Sequence, residues 1–410
     1  MNFTDFDFHP RITAGIQAAG YTQPTPIQAR ALGPVLQGRD IMGLAQTGTG
    51  KTAAFVLPIL QRLIQKPARG VRALIMAPTR ELAEQTHQAI NTLGRRTGLR
   101  SVTIYGGVSI HRQIQDLKRG ADIVVACPGR LLDHIGRNAV NLTGVEVLVI
   151  DEADQMLDMG FLPDIRRILG RLPQRRQSLL FSATMPDEIR KLADDLLSNP
   201  VTVQIGIAKP VETVQHALFP VAAHLKTPLL LKLLPGTSVG SVLVFTRTKH
   251  RAKRLGEQLA RAGYRSASLQ GNLSQNRRQA ALDGFRDGTF QILVATDIAA
   301  RGIDVAKVSH VINYDVPSTT DAYIHRIGRT GRASCSGDAF TLVTTEDEAM
   351  VRAIDRVLGH RVERRTLADF DYRMSPPRRD VEFARSPRPS TMARPGRATR
   401  QFRSARRAGQ

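Results

Sequence analysis

Tryptophan is absent from this chain of 410 residues, cysteine occurs only 2 times, and aromatic residues make up 5% of it. Its cores must therefore be built from Leu, Ile, Val and Ala. Cys127 and Cys335 stand far apart in sequence, which excludes a disulfide framework and a structural zinc site. Any metal has to arrive with a ligand. No apolar run approaches the roughly 20 residues that span a bilayer, and Met1-Asn2-Phe3-Thr4-Asp5 has neither the basic nor the apolar stretch of a secretory signal. These absences lead to the expectation of a cytoplasmic protein with no membrane partner. Acidic residues are scarce: 36 Asp+Glu stand against 58 Lys+Arg, a net charge of +22. That imbalance exceeds what solubility requires and points to a polyanionic partner.

The excess is concentrated at one end. Arg373 to Gln410 holds 11 Arg, no Lys and two acids, Asp380 and Glu382, so about +9 lies there and about +13 remains for the preceding residues. Clusters such as Ser375-Pro376-Pro377-Arg378-Arg379, with few apolar neighbours, cannot bury enough surface to offset their ordering entropy. Residues 373–410 are therefore read as a disordered basic tail. The rest is too long for one ordinary domain and suits two.

From Arg39 to Phe181 the sequence repeats a short apolar run, a turn or polar motif and a helical pattern, the rhythm of parallel βαβ units. Expected strands are Asp40-Leu44, Val71-Met76, Val102-Tyr105, Asp122-Ala126, Val145-Ile150 and Ser178-Phe181, with helices after Lys51, Glu81, Gly129 and Pro186. The rhythm breaks near Ser198-Asn199-Pro200 and Ala208-Lys209-Pro210. It resumes with Ser241-Phe245, Ser266-Leu269, Gln291-Ala295, Val308-Tyr314 and Asp338-Val343. A linker is expected near Ile207-Val211, giving an N-terminal α/β domain over 1–207 and a second over 208–372.

The first strand runs into Ala45-Gln46-Thr47-Gly48-Thr49-Gly50-Lys51-Thr52 and then a helical pattern, the context of a phosphate loop. Gly48 and Gly50 let backbone N–H groups curl round a phosphate, Lys51 supplies charge to the β/γ oxygens, and Thr52 can hold Mg²⁺ through its hydroxyl. Ala45 replaces the usual Gly, a small change. At the end of Val145-Ile150 stand Asp151-Glu152-Ala153-Asp154. Asp151 is placed to hold Mg²⁺ and Glu152 to orient or deprotonate the attacking water. His325-Arg326-Ile327-Gly328-Arg329-Thr330-Gly331-Arg332 has three Arg at spacings of three, and two Gly shape it for close approach, which fits an arginine finger. The finger lies in the second domain and the phosphate loop in the first, so hydrolysis would require the two to close on ATP.

Together these motifs resemble the DEAD-box ATP-dependent RNA helicases over about Phe3 to Val343. Gly20-Tyr21-Thr22-Gln23-Pro24-Thr25-Pro26-Ile27-Gln28, with Phe3 upstream, is similar to the family's Q motif; the resemblance implies that Gln28 reads the adenine edge and Tyr21 packs near the base. Pro78-Thr79-Arg80-Glu81-Leu82, Gly106-Gly107 and Pro128-Gly129-Arg130 resemble its RNA-backbone motifs, and Ser182-Ala183-Thr184 its coupling motif. In the second half Val244-Phe245-Thr246, Gln275 to Arg278, Thr296-Asp297 and Ala300-Arg301-Gly302-Ile303-Asp304 resemble further motifs, and the His325 segment closes the series.

The resemblance implies two tandem RecA-like domains with parallel sheets. In the ATP site it implies Phe3, Tyr21, Gln28, Gln46, Thr47, Gly48, Thr49, Gly50, Lys51, Thr52 and Asp304. Lys51, Asp151, Glu152, Arg329 and Arg332 carry catalysis, and ATP with Mg²⁺ is the cofactor. It further implies an RNA backbone site at Arg80, Gly107, Arg130, Arg278, Thr296 and Gly302, with coupling through Ser182, Thr184 and His325. Ribosomal or RNA-degradation complexes come into view as partners, with no choice among them. A short N-terminal flank and the Arg/Pro-rich tail look most like the bacterial RhlE-like branch. Cys127 stands where the family usually has Thr and puts that side chain's RNA contact in doubt. Two rivals stand beside this reading: an RNA annealing chaperone whose ATP site only regulates residence, and a translocating DNA helicase. The intact Glu152 and Arg329/Arg332 disfavour the first, the Gln28 motif the second.

Overall fold

Runs such as Ala-Leu-Ile-Met, Ile-Val-Val-Ala and Val-Leu-Val-Ile carry apolar side chains on both strand faces, so a sheet made from them must be covered twice, as parallel sheets are. The computed structural model describes residues 1–45, 48–205, 214–237, 240–300, 308–330 and 337–375, and nothing is said of side chains at Gln275 and Ile298. Fourteen strands are described: β1 Ile41–Leu44, β2 Ala73–Met76, β3 Ser101–Ile104, β4 Ile123–Ala126, β5 Val147–Ile150, β6 Gln177–Ser182, β7 Val201–Gln204, β8 Val214–Pro220, β9 Ser241–Phe245, β10 Ser266–Leu269, β11 Ile292–Ala295, β12 Val308–Asn313, β13 Gly337–Val343 and β14 Glu363–Arg364.

They form two sheets of seven strands, in the orders β3-β4-β2-β5-β6-β1-β7 and β10-β11-β9-β12-β13-β8-β14. Every pairing is parallel. Adding seven to each number of the first order gives the second, so the chain contains a structural repeat with no repeated sequence. Both sheets lie in one unit, Met1–Phe370. Each face of the first is sealed by helices: Phe55 packs on Phe181 with ring centroids 5.5 Å apart on one side, and Met156, Ile165 and Leu180 meet on the other. Leu243, Leu282 and Phe285, and Val351, Ile354 and Leu358, fill the corresponding cores of the second.

The expected strands are present with ends shifted by at most two residues, and Ser241–Phe245 and Ser266–Leu269 are unshifted. Asp40 lies outside β1: its carboxylate accepts from the N–H groups of Ser178 and Ser198, both at 2.8 Å, which locks the entrances of β1, β6 and β7. The expected helices appear as Lys51–Gln65, Arg80–Leu93, Pro128–Gly136 and Asp187–Leu196. β7 and β14, edge strands that are largely exposed, and β8 are present in addition to the expected strands. In the first sheet β5, β6 and β1 are neighbours, so their C-terminal ends place Asp151, Ser182 and the phosphate loop side by side. The expected linker at Ile207-Val211 lies outside the described residues, as do Gln46, Thr47, Gly302, Asp304, Arg332 and the tail from Pro376 onward.

Candidate functional site

The phosphate loop starts where Ala45 N–H donates to Ser182 O at 3.0 Å, tying β1 to β6. Gly48 and Gly50 have φ of 83° and 91°, a left-handed backbone that favours glycine. Gly50 is constrained twice, because a Cβ there would meet Gln28 Nε2 at 2.6 Å. It also caps the helix Lys51–Gln65, whose first N–H groups and positive dipole end suit a phosphate. Lys51 is buried, and its Nζ donates to Ala45 O at 2.8 Å, folding back over the loop. Thr52 follows it, half-buried.

Both ends of the Gln28 amide are hydrogen-bonded within the protein. Its Oε1 accepts from Thr25 N–H and its Nε2 donates to Gly50 O, both at 3.0 Å, so one amide caps the helix Pro26–Leu36 and holds the phosphate loop. Phe3 is buried and stacks on Tyr21 at 6.2 Å, leaving Tyr21 41% exposed beside the loop's supporting helix.

The acids follow β5. Burial pushes the Asp151 carboxyl up to about 7, against the pull of Lys51 and with a further push from the Glu152 and Asp154 charges; Glu152 N–H donates to its Oδ1 at 3.0 Å. Glu152 itself has φ of 54°, a strained conformation for a non-glycine residue of the kind found at working sites.

Asp154 carries no role on sequence grounds, although it is the third acid of the same run. Its Oδ2 accepts from Ala183 N–H at 3.1 Å, Thr184 N–H at 2.9 Å and Thr184 Oγ1 at 3.1 Å, while its own N–H donates to Ser182 Oγ at 3.2 Å. His325 Nε2, from the second half, lies 3.7 Å from that same Oδ2. Asp154 thus meets all three residues read as coupling, Ser182 through its backbone N–H and Thr184 and His325 through its carboxylate.

Of the His325 segment, Arg329 and Arg332 are the expected contacts to ATP; Arg332 lies outside the described residues, and Arg326 and Arg329 line one cavity with different partners. Arg326 spends its donors internally: Nε and Nη2 go to the Asp297 carboxylate at 2.5 and 2.7 Å, Nη1 goes to Asn313 Oδ1 and Asp315 O, and the guanidinium lies 5.0 Å from the Phe245 ring centroid. It is a strut. Arg329 is buried and, with Gln155, Asp297 and His325, lines a cavity of about 30 Å³ between the two halves, room for about a water. Gln155 has no sequence signal beyond following the acid run.

Arg80, Gly107 and Arg130 gather at one turn. Arg80 begins the helix Arg80–Leu93, stacks on Tyr105 at 4.9 Å and donates to Gly106 O. Gly107 has φ of 78°, and a Cβ there would collide with the Arg80 guanidinium. Arg130 donates to Val108 O at 3.0 Å. Arg278 is placed elsewhere, on Glu81 at 2.7 Å, which bridges the two halves. Thr296 is half-buried at the end of β11 and its carbonyl starts the turn Asp297–Ala300. Cys127 caps the helix Pro128–Gly136 without a side-chain hydrogen bond, and burial pushes its thiol up to about 12.

Residues 25–192 match the DEAD/DEAH box helicase family and 225–334 the helicase conserved C-terminal domain. Over 372 residues the chain is 41% identical to the DEAD-box ATP-dependent RNA helicase CshA of Bacillus licheniformis, covering 90% of this chain and 76% of CshA. The chain belongs to the DEAD-box helicase family. Its identity to RhpA of Helicobacter pylori is 44% over 344 residues, 84% of this chain and 70% of RhpA. Among solved structures this DEAD-box chain is similar to Saccharomyces cerevisiae Dbp5 bound to RNA and ADP-BeF3, with a TM-score of 0.78 at 32% identity, covering 89% of this chain and 95% of that one. It also resembles a DEAD box protein from Methanococcus jannaschii, with a TM-score of 0.53 at 36% identity over 89% of this chain and 99% of that one. The two sheets are the two RecA-like domains of the family.

The donor set suits a magnesium nucleotide: a glycine-opened loop at a helix N-terminus, a lysine, the Thr52 hydroxyl and the Asp151 carboxylate. A carboxyl raised to about 7 by burial and like charge gains most from a cation beside it.

Proposed function

We propose that the chain is an ATP-dependent RNA helicase that couples ATP binding and hydrolysis to local unwinding or remodelling of RNA duplexes and RNA-protein complexes. The observation that carries this is the Asp154 junction, where the backbone N–H of one acid donates to Ser182 Oγ while its carboxylate holds Thr184 and faces His325 of the second half. A change at the nucleotide is thereby transmitted to both halves at once.

In this reading Phe3, Tyr21 and Gln28 frame the base, and the loop from Gln46 to Thr52 with Asp304 holds the phosphates. Thr52 and Asp151 would hold magnesium, which would neutralise charge on the phosphates. Glu152 orients the attacking water, while Lys51, Arg329 and Arg332 stabilise charge developing on the transferred group. RNA lies along Arg80, Gly107, Arg130, Arg278, Thr296 and Gly302, mostly through phosphates and 2′-hydroxyls, which predicts little sequence preference. ATP acts as a ligand for the closed state, and its hydrolysis reopens the clamp. The Arg/Pro-rich composition of residues 373–410 supports the RhlE-like branch; a cytoplasmic location and ribosomal or RNA-degradation partners belong to the same proposal. Among the described residues no helix is long and apolar enough to cross a membrane.

The test compares single-stranded RNA with DNA as stimulators of ATP hydrolysis and follows separation of a short RNA duplex on the same sample. RNA-selective stimulation with duplex separation that requires ATP is expected. Equal stimulation by DNA, or strand separation indifferent to ATP, would contradict it.

A further inference from the structure

The helix Ile110–Lys118 buries one residue fully, and that residue is a glutamine. Gln113 Nε2 donates to Tyr105 O at 3.0 Å. Its Oε1 receives Arg130 Nη1 at 3.2 Å and lies 3.0 Å from Nε2 of His134, a wholly buried histidine one helical turn after Arg130 on Pro128–Gly136. A guanidinium only donates and a carbonyl only accepts, so these two partners fix which end of the amide is which. His134 must then be the donor, carrying its proton on Nε2, and its Nδ1 has no hydrogen-bond partner among the described residues. Burial, reinforced by Arg130, pushes the ring's pKa down, so it stays neutral.

The same turn is held at two further points. Arg130 donates to Val108 O and Arg80 to Gly106 O, so the carbonyls of Tyr105, Gly106 and Val108 all accept from side chains of three different helices. A leucine pair would bring helices Ile110–Lys118 and Pro128–Gly136 together at least as well, since buried polar pairs add little net stability. What the amide and imidazole add is direction: they aim Arg130 and hold the turn that carries Gly107.

We propose that Gln113 and His134 are positioning residues for RNA, a buried relay that sets the geometry of Arg130 and of the Tyr105–Val108 turn without touching the nucleic acid. This rests on the reading of Arg130 and Gly107 as RNA contacts.

The full chain is assayed for ATP hydrolysis against oligo-uridylate RNA, with the RNA concentration at half-maximal rate, the RNA-saturated rate, KM for ATP and Tm as readouts. Gln113→Leu and His134→Leu each raise the RNA half-saturation about tenfold, the scale of about one lost hydrogen bond. The saturated rate and KM for ATP stay within about twofold. His134→Gln, which keeps an N–H donor, restores most of the affinity. A lowered Tm with unchanged RNA half-saturation, or a His134→Gln no better than His134→Leu, overturns the relay; the His134 pair decides even if Gln113→Leu does not fold. Arg130→Ala separates the two levels. If it raises half-saturation while the relay variants do not, the relay alone is wrong; if it changes nothing, the RNA-contact reading fails and takes the relay with it.

Discussion

Glu81 and Arg278 lie 197 residues apart in sequence and on opposite halves of the molecule, yet Nε and Nη2 of Arg278 both reach Glu81 Oε1, at 3.0 and 2.7 Å. Their side chains are 10% and 14% exposed, so neither charge is well solvated. Glu81→Gln keeps the shape and removes one charge, leaving a nearly buried guanidinium with a neutral acceptor. Losing one partner of a fully buried pair costs about 3–5 kcal/mol; with residual exposure about 2 kcal/mol is expected, or about 30-fold in an equilibrium constant. The loss falls on closure of the two halves. RNA affinity measured with a non-hydrolysable ATP analogue should weaken by that factor, and the affinity without nucleotide should change little. Arg278→Gln should match it, and the double variant should be no worse than either, with a coupling energy of about 1–3 kcal/mol. Additive effects would refute the bridge. Tighter RNA binding by Glu81→Gln would show instead that the bridge withholds Arg278 from RNA rather than supporting closure.

Asp151 makes a pH-dependent prediction. Its folded pKa, about 7, exceeds the ordinary 3.8, so its contribution to stability is full at low pH and is lost as pH rises through about 7; Asp151→Asn should therefore raise Tm at pH 8. Binding of magnesium-ATP should release up to about one proton near pH 6.5 and almost none at pH 8.5, read from the buffer dependence of the calorimetric heat, and identical slopes at both pH values would refute it. Gln28→Ala removes the helix cap and the brace on Gly50, costing about 1 kcal/mol of stability, and should weaken ATP more than GTP; equal losses would leave Gln28 as a brace only. Truncation after Tyr372 should leave the RNA-saturated ATPase nearly unchanged and flatten the salt dependence of RNA affinity, because each phosphate contact releases counterions. Identical salt slopes would show that the tail does not touch RNA.

Local signals made much of the architecture legible. Runs such as Val147–Ile150 are buried on both faces and announce themselves, and the phosphate loop is marked by glycines whose positive φ the structure requires. The edge strand β7 was not legible: it shows one buried residue in four, a pattern no different from a loop. The cleft motifs were legible as types but not as pairings. Nothing in the spacing of His325-Arg326-Ile327-Gly328-Arg329 says that Arg326 is consumed by Asp297 even as it and Arg329 line one cavity, because that depends on where β11 and β12 end. Asp154 and Glu81 were each one residue of a quoted motif, yet their partners come from distant segments that only the fold brings together. Gln113 and His134 carry no motif at all; their signal is burial.

The central claim is that one hydrolytic site is completed from both halves. Lys51→Ala in the first and Arg329→Ala in the second, assayed for RNA-stimulated ATP hydrolysis on folded protein of unchanged Tm, test it most directly. The account predicts that each removes most of the turnover, at least about 100-fold, the scale of lost electrostatic stabilisation at a transition state. Normal turnover in Arg329→Ala would contradict it.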